Sequence, residues 1–475
     1  MPPSGGSHSF EARLEALPAI VHQPQLEPGG TSPTSQTMLI VDELLVASSY
    51  AAKVQAYLKA HNVRFARLTT LLQGLKFPLG VTRPNDDVEV WKLLPPHPPV
   101  TALVQGMWAG PLAAKKRAVT PNHVLVPAGW ADQCPLGPPT ISPVKASLLP
   151  HHGHAHGAEI TVIDSGYQWN PTWGGAPLDR LVKLIPHKAQ HSTKKDPTTT
   201  LTPVVGDVRN AVLQGKWADD SDDGPDANGN GRLDALAGHA NFVTGVLGQY
   251  TDFPIVNLWN HFGGYYPDPD EYTRELAVCR SLLKSHIATQ NPLINLGFAF
   301  VPLKDRTRQD VLSIAWDLVF QTLGTSIPPK VLVVTPAGNQ GTTAKRYPGA
   351  LNARYPGQYP NVIAVGSHDA GKVTPSRDVT GAPWSNYGDW ITCSAIGSEV
   401  DSTFLHVSMA TEDDTAPWPY RDFTPNDSAR WSGTCFAAPK VTALIAEQHA
   451  TTGSLATSFA NVLATFNAQI GRAHV

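Results

Sequence analysis

Short apolar runs alternate with amphipathic stretches over the second two-thirds of the chain, which predicts strands separated by helices. The predicted strands are residues 160–163, 255–258, 293–299, 331–335 and 362–365, and the predicted helices follow His239 or cover residues 270–289 and 308–323. Because short strands that alternate with helices are typical of parallel sheets covered on both faces, we expect an α/β domain over residues 158–460. In such sheets, functional groups gather at the carboxyl ends of the strands.

The first third of the chain has a different pattern. An apolar segment at residues 38–47, an amphipathic stretch at 50–61 and two strand-like pieces near 63–68 and 88–93 predict a small α/β domain. The remaining segments are predicted to have little regular structure: a flexible tail at 1–36, a proline-rich connection at 96–157 and a short tail at 461–475.

Composition narrows the range of functions. The formal net charge is only −3, which argues against a dedicated nucleic-acid-binding protein. Charged residues make up 16% of the chain and hydrophobic ones 41%, as in globular proteins. The four cysteines are far apart, and neither a secretory signal nor an apolar run of membrane-spanning length is visible. We therefore expect a cytoplasmic protein with no membrane or nucleic-acid partner.

Four chemically versatile residues follow predicted strands or begin predicted helices. Asp164 follows the first strand, and His239 stands at the start of a helix. Asn339 lies just beyond the strand at 331–335, and Cys435 stands among small residues at what should be a helix N-terminus. In chain order these are an acid, a base, an amide donor and a nucleophile, and each position would allow them to meet in one cleft.

This ordered set resembles the subtilisin-like peptidases, with further support from the segments 359–366 and 384–388. The resemblance covers about residues 158–450 and implies a three-layer subtilisin-like fold with a mainly parallel central sheet. It also implies an endopeptidase that acts on proteins or peptides without a required cofactor. By the same resemblance, Asp164 orients His239, His239 is the general base, and the Asn339 side chain and the Cys435 amide stabilise the oxyanion.

The family has serine where this chain has Cys435. A thiol is more nucleophilic, but the larger sulfur would sit differently relative to donors built for a hydroxyl. Three explanations are open: a change introduced to slow the enzyme, a natural cysteine variant, and a pseudoenzyme. Ala240, Phe242 and Lys440 also depart from the residues that are frequent in the family, at scaffold positions.

Substrate contacts are predicted from the same resemblance. The segment 294–299 resembles the strand that binds substrate backbone in the family, although Gly297 and Ala299 replace its usual Ser and Gly. The predicted substrate-binding residues are Asn295, Leu296, Gly297, Phe298, Ala337 and Gly338.

Two segments raise the question of metal binding. Oxygen ligands at alternate positions followed by glycine resemble the start of a calcium loop, but Ala237 stands where its glutamate is expected. The candidate structural Ca²⁺ ligands are Asp226, Asn228, Asn230 and Asp234, and the alternative is a solvated acidic loop. Four histidines, His151, His152, His154 and His156, form either a zinc site or an incidental tract.

The amino-terminal region has two interpretations. Members of this family often carry a small α/β propeptide over the active cleft, and residues 38–95 have a suitable size and pattern. The protein would then be a latent precursor whose amino-terminal region acts in cis. Alternatively, this region docks a partner that regulates the peptidase. A further alternative for the whole chain is a catalytically silent subtilase fold that binds peptides or a partner protein.

Overall fold

The structure is a computed structural model that describes residues 20–26, 33–127, 139–143, 159–164, 182–185, 232–233, 238–251, 255–259, 274–324, 329–373, 379–404, 410–411 and 428–470. Its strands are β1 (Ile20–Leu26), β2 (Pro33–Ala47), β3 (Arg64–Thr70), β4 (Val88–Leu94), β5 (Val119–His123), β6 (Val126–Pro127), β7 (Thr140–Ile141), β8 (Ile160–Asp164), β9 (Val182–Ile185), β10 (Arg232–Leu233), β11 (Ile255–Trp259), β12 (Leu293–Leu296), β13 (Phe298–Ala299), β14 (Leu332–Pro336), β15 (Val362–Val373), β16 (Val379–Gly381), β17 (Cys393–Ile396), β18 (Val400–Ser402), β19 (Ala410–Thr411) and β20 (Ala429–Trp431). Its α-helices are α1 (Ala51–Ala60), α2 (Val100–Ala109), α3 (His239–Tyr250), α4 (Glu275–Thr289), α5 (Ala315–Leu323), α6 (Leu351–Arg354), α7 (Thr434–Thr452) and α8 (Leu455–Ile470).

The main sheet is mostly parallel. Among the described residues it has eight strands in the order β16-β15-β14-β12-β8-β11-β9, with β17 paired to β15. Its pairings are parallel, except for the antiparallel pair of β15 with β16. Strand β8 lies between β12 and β11, so its carboxyl end opens at the middle of the sheet edge.

Helices cover both faces of this sheet. Alternate residues of a strand point to opposite faces, and the two hydrophobic cores follow that alternation. Ile294 packs with helices α4 and α5, whereas Leu293 packs with α3 and α7. The domain is therefore a three-layer α/β structure, as the sequence predicts.

The amino-terminal region forms a separate antiparallel sheet in the order β1-β2-β4-β3, with β5 on β2. One face of this sheet packs on α1 and α2, through side chains such as Leu44 and Val46. The opposite face, which includes Leu45, Val88 and Val90, belongs to the same core as α4 and α5. The small α/β domain is thus packed directly against the helices of the main domain.

Three predictions of local structure are wrong. Residues 100–127 are not a structureless connection, because α2 and β5 complete the amino-terminal domain. Residues 20–26 form β1 and residues 33–36 begin β2, although we predict a flexible tail over residues 1–36. The predicted helix at 308–323 begins only at Ala315, because Arg308 has a φ of +61° and residues 310–311 pair with residues 303–304 instead.

Within the described part of the chain, no helix combines the length and the apolar character that crossing a bilayer requires. The candidate calcium ligands Asp226, Asn228, Asn230 and Asp234 lie outside the described residues, as do the four-histidine tract and Cys134. Among the described cysteines, Cys279, Cys393 and Cys435 are not in disulfides.

Candidate active site

Asp164 ends the central strand β8 and is almost fully buried. Every residue of the strand is buried, because both faces of the sheet are covered by helices, and Thr161 is its one polar residue before Asp164. A carboxylate at this position therefore stands at the carboxyl edge of the sheet, where it can reach groups on the neighbouring loops.

His239 is the first residue of α3 and has no solvent exposure. Its Nδ1 lies 2.6 Å from Oδ1 of Asp164. Because the carboxylate accepts, Nδ1 carries the proton, and Nε2 of the neutral ring has the free lone pair. No described group forms a hydrogen bond with this Nε2 atom. The geometry thus presents a buried, oriented base.

Aromatic rings surround the imidazole of His239. The ring centroid of Phe436 lies 5.4 Å from that of His239, and the ring of Trp431 lies 6.1 Å away in an edge-on arrangement. Phe242, one turn along α3, packs on Phe436 with a centroid distance of 4.3 Å. These contacts bring the start of α7 beside His239 and exclude water from that side of the ring.

Asn339 and the start of α7 hold each other in place. The backbone N–H of Thr434 donates to Oδ1 of Asn339 at 2.9 Å, and the N–H of Gly338 donates to Oγ1 of Thr434 at 3.0 Å. The first bond fixes the oxygen side of the Asn339 amide, so its Nδ2 donor lies on the opposite branch. The loop after β14 is thereby locked to the helix that carries Cys435.

Cys435 lies in the first turn of the 19-residue helix α7 and is only 2% exposed. The N–H groups of a first turn point out of the helix end and carry its positive partial charge, which favours an anion there. Gly433, just before the helix, donates its N–H to the carbonyl of Gly397 at 2.8 Å. This segment combines a nucleophile with backbone donors.

The predicted substrate-binding residues lie in two segments, one at β12 and β13 and the other in the loop after β14. The side chain of Asn295 accepts from Thr442 of α7 at 3.2 Å, and Leu296 packs in the core, so both side chains contact the protein interior. Gly297 contacts the Asp164 carboxylate, and Phe298 begins β13. Ala337 and Gly338 form the loop that carries Asn339.

The amino-terminal domain reaches the edge of this site. Strand β13 directly follows Gly297 and pairs antiparallel with β6, so Phe298 faces Pro127 and Ala299 faces Val126. This backbone pairing places a segment of the same chain on the strand next to the Asp164 carboxylate.

A buried polar contact between His123 and Glu275 joins the amino-terminal domain to the main domain. Nδ1 of His123, at the end of β5, lies 2.6 Å from Oε2 of Glu275, and Trp316 donates its Nε1–H to Oε1 of the same carboxylate at 2.8 Å. The backbone N–H of Leu303 donates to Nε2 of His123 at 3.0 Å. The His123 ring is therefore neutral with its proton on Nδ1, since a protonated Nε2 could not accept.

Burial shifts the pKa values of two side chains, Lys440 of α7 and His368 of β15. Burial lowers the pKa of Lys440 to about 8, against a smaller opposing effect of Asp401. Burial, helped by the positive charge of Lys440, lowers the pKa of His368 to about 4. Among the described residues, no cluster of three or more His, Cys, Asp or Glu side chains has the geometry to hold a metal ion.

Sequence patterns alone did not identify Thr434, Trp431 or Asn386 as parts of the site. Thr434 and Trp431 flank Cys435 in the sequence, and their contacts become visible only when α7 is placed against the loop and His239. Asn386 lies in the segment 384–388, which supports the family resemblance but gives no sign of which side chain contacts the loop of Asn339.

Residues 295–457 match the model of the subtilase family, the S8 peptidases. This segment contains Asn339 and Cys435, whereas Asp164 and His239 precede it. No curated protein sequence matches the chain.

Several solved structures are similar to this chain at low sequence identity. Fervidolysin from Fervidobacterium pennivorans, a keratinolytic enzyme related to subtilisin, has a TM-score of 0.49 and 16% identity, over 92% of this chain and 59% of its own. An epidermin leader peptide processing serine protease from Staphylococcus aureus has a TM-score of 0.46 and 14% identity, over 90% of this chain and 92% of its own. A lanthipeptide protease has a TM-score of 0.40 and 16% identity, over 64% of this chain and 78% of its own.

Proposed function

We propose that the chain, whose residues 295–457 match the model of the subtilase family, is an endopeptidase that cleaves peptide bonds through Asp164, His239 and Cys435. The observation that carries the proposal is the buried hydrogen bond between Nδ1 of His239 and Asp164, which leaves Nε2 of the imidazole as the base. Two buried groups paired this way at the carboxyl edge of a parallel sheet match what general-base catalysis requires.

The first half of the reaction forms an acyl-enzyme. His239 Nε2 takes the proton of the Cys435 thiol while the sulfur forms a bond to the carbonyl carbon of the substrate. The carbonyl oxygen becomes an oxyanion, which accepts hydrogen bonds from Nδ2 of Asn339 and the N–H of Cys435. When the tetrahedral intermediate collapses, the C–N bond breaks, and His239 gives its proton to the departing amine. The product is a thioester on Cys435.

Water completes the cycle. His239 Nε2 takes a proton from water as the water oxygen attacks the thioester carbon, and the C–S bond breaks with return of that proton to sulfur. Asp164 keeps its charge throughout and stabilises the imidazolium that forms twice in the cycle. The carboxylic acid leaves, and the thiol is restored.

The amino-terminal domain supports the proposal of a latent precursor. Its sheet shares a core with α4 and α5, and β6 occupies the pairing edge of β13 beside Gly297. A peptide substrate that adds to this edge as a strand would have to displace β6. We therefore propose that the domain acts in cis and keeps the peptidase latent, while docking of a regulatory partner by the same domain is the alternative.

The proposal is tested with the full chain and its Cys435→Ser, His239→Ala and Asp164→Asn variants. Hydrolysis of unstructured casein and self-cleavage are followed by mass spectrometry. We expect activity in the parent or the Cys435→Ser form, and a loss of at least about 1,000-fold in the His239→Ala variant of whichever is active.

Comparing the activities of the serine and cysteine forms distinguishes the explanations for the cysteine at position 435. A more active serine form means that the cysteine attenuates a serine peptidase, and a more active cysteine form identifies a natural thiol peptidase. If none of the variants cleaves casein or itself, even after the amino-terminal region has been removed, the peptidase proposal is wrong and a silent peptide-binding fold is favoured. Binding of casein peptides to the inert chain then tests that second function.

A further inference from the structure

We infer that Asn386 is a positioning residue that holds the loop of residues 337–342, and through it Asn339, in the geometry that stabilises the oxyanion. The inference rests on the proposed peptidase function. It concerns a side chain that contacts neither His239 nor Cys435 in any described hydrogen bond and that would act only through Asn339.

The side chain of Asn386 binds the loop at four points. Its Oδ1 accepts from the backbone N–H of Gln340 at 3.1 Å and of Thr342 at 3.2 Å. Its Nδ2 donates to the carbonyl of Ala337 at 2.9 Å and to Oε1 of Gln340 at 2.9 Å. Two backbone donors on one branch and a backbone acceptor on the other fix the orientation of the amide.

A backbone bond adds a fifth connection on the remaining side of the loop. The N–H of Asn386 donates to the carbonyl of Gly338 at 2.9 Å. The backbone groups of the residues directly before and after Asn339 are thus both bound to Asn386. Because these neighbours are fixed, the direction in which the Asn339 side chain leaves the backbone is fixed as well.

The loop needs this support because its backbone is unusual. Gly338 has φ of +97°, a conformation that favours glycine, and a Cβ built there would lie 2.7 Å from Nδ2 of Asn386. Asn386 is itself only 2% exposed, so water cannot replace the bonds that its removal would break. The loop is therefore packed against the amide rather than merely near it.

The hydrogen bonds at position 386 require a side chain with the donor and acceptor groups of asparagine. The position needs an acceptor for two N–H groups and a donor for a carbonyl at the same time, which an aliphatic side chain cannot supply. Aspartate supplies the acceptor but would face the Ala337 carbonyl with a second oxygen. Only its protonated form could donate there.

An oxyanion donor must be correctly positioned as well as present. A misplacement of about 1 Å can cost about 100-fold in rate, and loss of one oxyanion donor costs about 100- to 1,000-fold in kcat. Loosening the loop through Asn386 should therefore lower kcat and change KM little, since the donor acts on charge that develops in the transition state.

The test is a double-mutant cycle in the full chain with the active nucleophile, using Asn386→Ala, Asn339→Ala and the double variant. We expect Asn386→Ala to lower kcat by about 10- to 100-fold with KM within about threefold, and the double variant to be no slower than Asn339→Ala alone. If the two losses multiply instead, Asn386 does not act through Asn339, and the inference is overturned.

Asn352→Ala is the matched control, because Asn352 is an exposed asparagine of α6 whose Oδ1 accepts from the backbone N–H of Gly357. It should leave kcat unchanged. If Asn386→Ala does not fold, Asn386→Asp replaces it in the cycle. Its activity relative to the parent should rise as the pH falls from 7 to 5, because burial at this position raises the pKa of the carboxyl and its protonated form regains a donor. A ratio that does not change with pH counts against the inference.

Hydrogen exchange keeps the inference separate from the proposed function. In a catalytically inert chain, the amides of Gln340 and Thr342 should lose protection in the Asn386→Ala variant and keep it in Asn352→Ala. Inertness of every variant, also after removal of the amino-terminal region, would refute the peptidase proposal alone. Unchanged protection of these two amides would refute the role of Asn386, whatever the activity.

Discussion

Gly297 lies against the carboxylate of Asp164. A Cβ built on this glycine would overlap with Oδ2 and would lie 3.0 Å from Cγ of the aspartate. The N–H of Gly297 also donates to the carbonyl of Ile163 at 2.9 Å, so its backbone is tied to the strand that ends in Asp164. The absence of a side chain at 297 is therefore a condition for the Asp164–His239 pair.

Gly297→Ala should displace the Asp164 carboxylate and lower kcat by about 100-fold or more, because catalytic groups tolerate little misplacement. Steady-state hydrolysis of casein measures the effect. Asp164→Ala and the Gly297→Ala/Asp164→Ala double variant are the matched controls. Since Asp164→Ala removes the overlap, the double variant should be no slower than Asp164→Ala, and a further loss in it would show that the methyl group acts elsewhere.

His123→Leu should destabilise the protein by about 1.5–3 kcal/mol, because it removes a buried hydrogen-bond donor from the Glu275 carboxylate. Urea unfolding of the full chain measures the free energy of unfolding. The His123→Leu/Glu275→Gln double variant removes the charge but keeps an acceptor for Trp316, and it should recover at least about 1 kcal/mol. A cost below about 1 kcal/mol for His123→Leu would contradict the prediction.

Acidification should destabilise the fold through His368. Burial lowers its pKa from 6.5 to about 4, so between these values the unfolded chain binds a proton that the folded one does not. The contribution is fully present above pH 6.5, and up to about 3 kcal/mol of it is lost as the pH falls to 4.

The His368→Gln variant removes this titration. Between pH 7 and 5 the parent should lose about 2 kcal/mol more stability than the variant, measured by urea unfolding at both values. His61→Gln, which changes an exposed histidine, should have the same pH dependence as the parent. Parallel curves for the parent and His368→Gln would contradict the prediction.

Arg280→Ala should loosen the amino-terminal domain. From α4, the guanidinium of Arg280 donates to the carbonyls of Thr70 and Leu71 at 2.8 and 3.1 Å, and also to that of Gln73. Loss of these charged hydrogen bonds should raise the exchange rate of the amides in residues 70–73 by roughly 10- to 100-fold.

The matched control is Arg354→Ala, whose guanidinium binds Gln309 and Asp310 within the main domain. It should leave exchange at residues 70–73 unchanged. If Arg280→Ala also leaves this exchange unchanged, the domain is held by its apolar face alone. Should casein hydrolysis rise together with exchange, the result supports a domain that keeps the peptidase latent.

Much of the main domain could be predicted because its strands are buried on both faces. Short, mainly apolar runs predict such strands, and the prediction of 160–163 agrees with β8 at Ile160–Asp164 to one residue. The helix that follows Gly238 is also confirmed at His239–Tyr250. Since both Asp164 and His239 lie at one edge of the sheet, the sequence order was enough to predict that they are close.

Long-range contacts explain what the sequence did not reveal. A single strand is predicted at 293–299, but Gly297 binds Ile163 and divides the segment into β12 and β13, whose partner is β6. The prolines near residue 95 suggest a linker, yet α2 buries its apolar residues against the amino-terminal sheet. Each outcome depends on a partner distant in the chain, which local propensity does not encode.

Trp431 gives the protein an internal optical probe of its base. The indole lies edge-on to the His239 ring at 6.1 Å, and only a change in that ring's charge separates the resting base from its protonated form. The charge of a protonated imidazole acts on the π-system of a neighbouring indole, so the difference between the fluorescence of the parent and of a Trp431→Phe variant isolates this one signal from the 12 tryptophans. Titration of that difference would report the protonation state of His239 without substrate and without turnover.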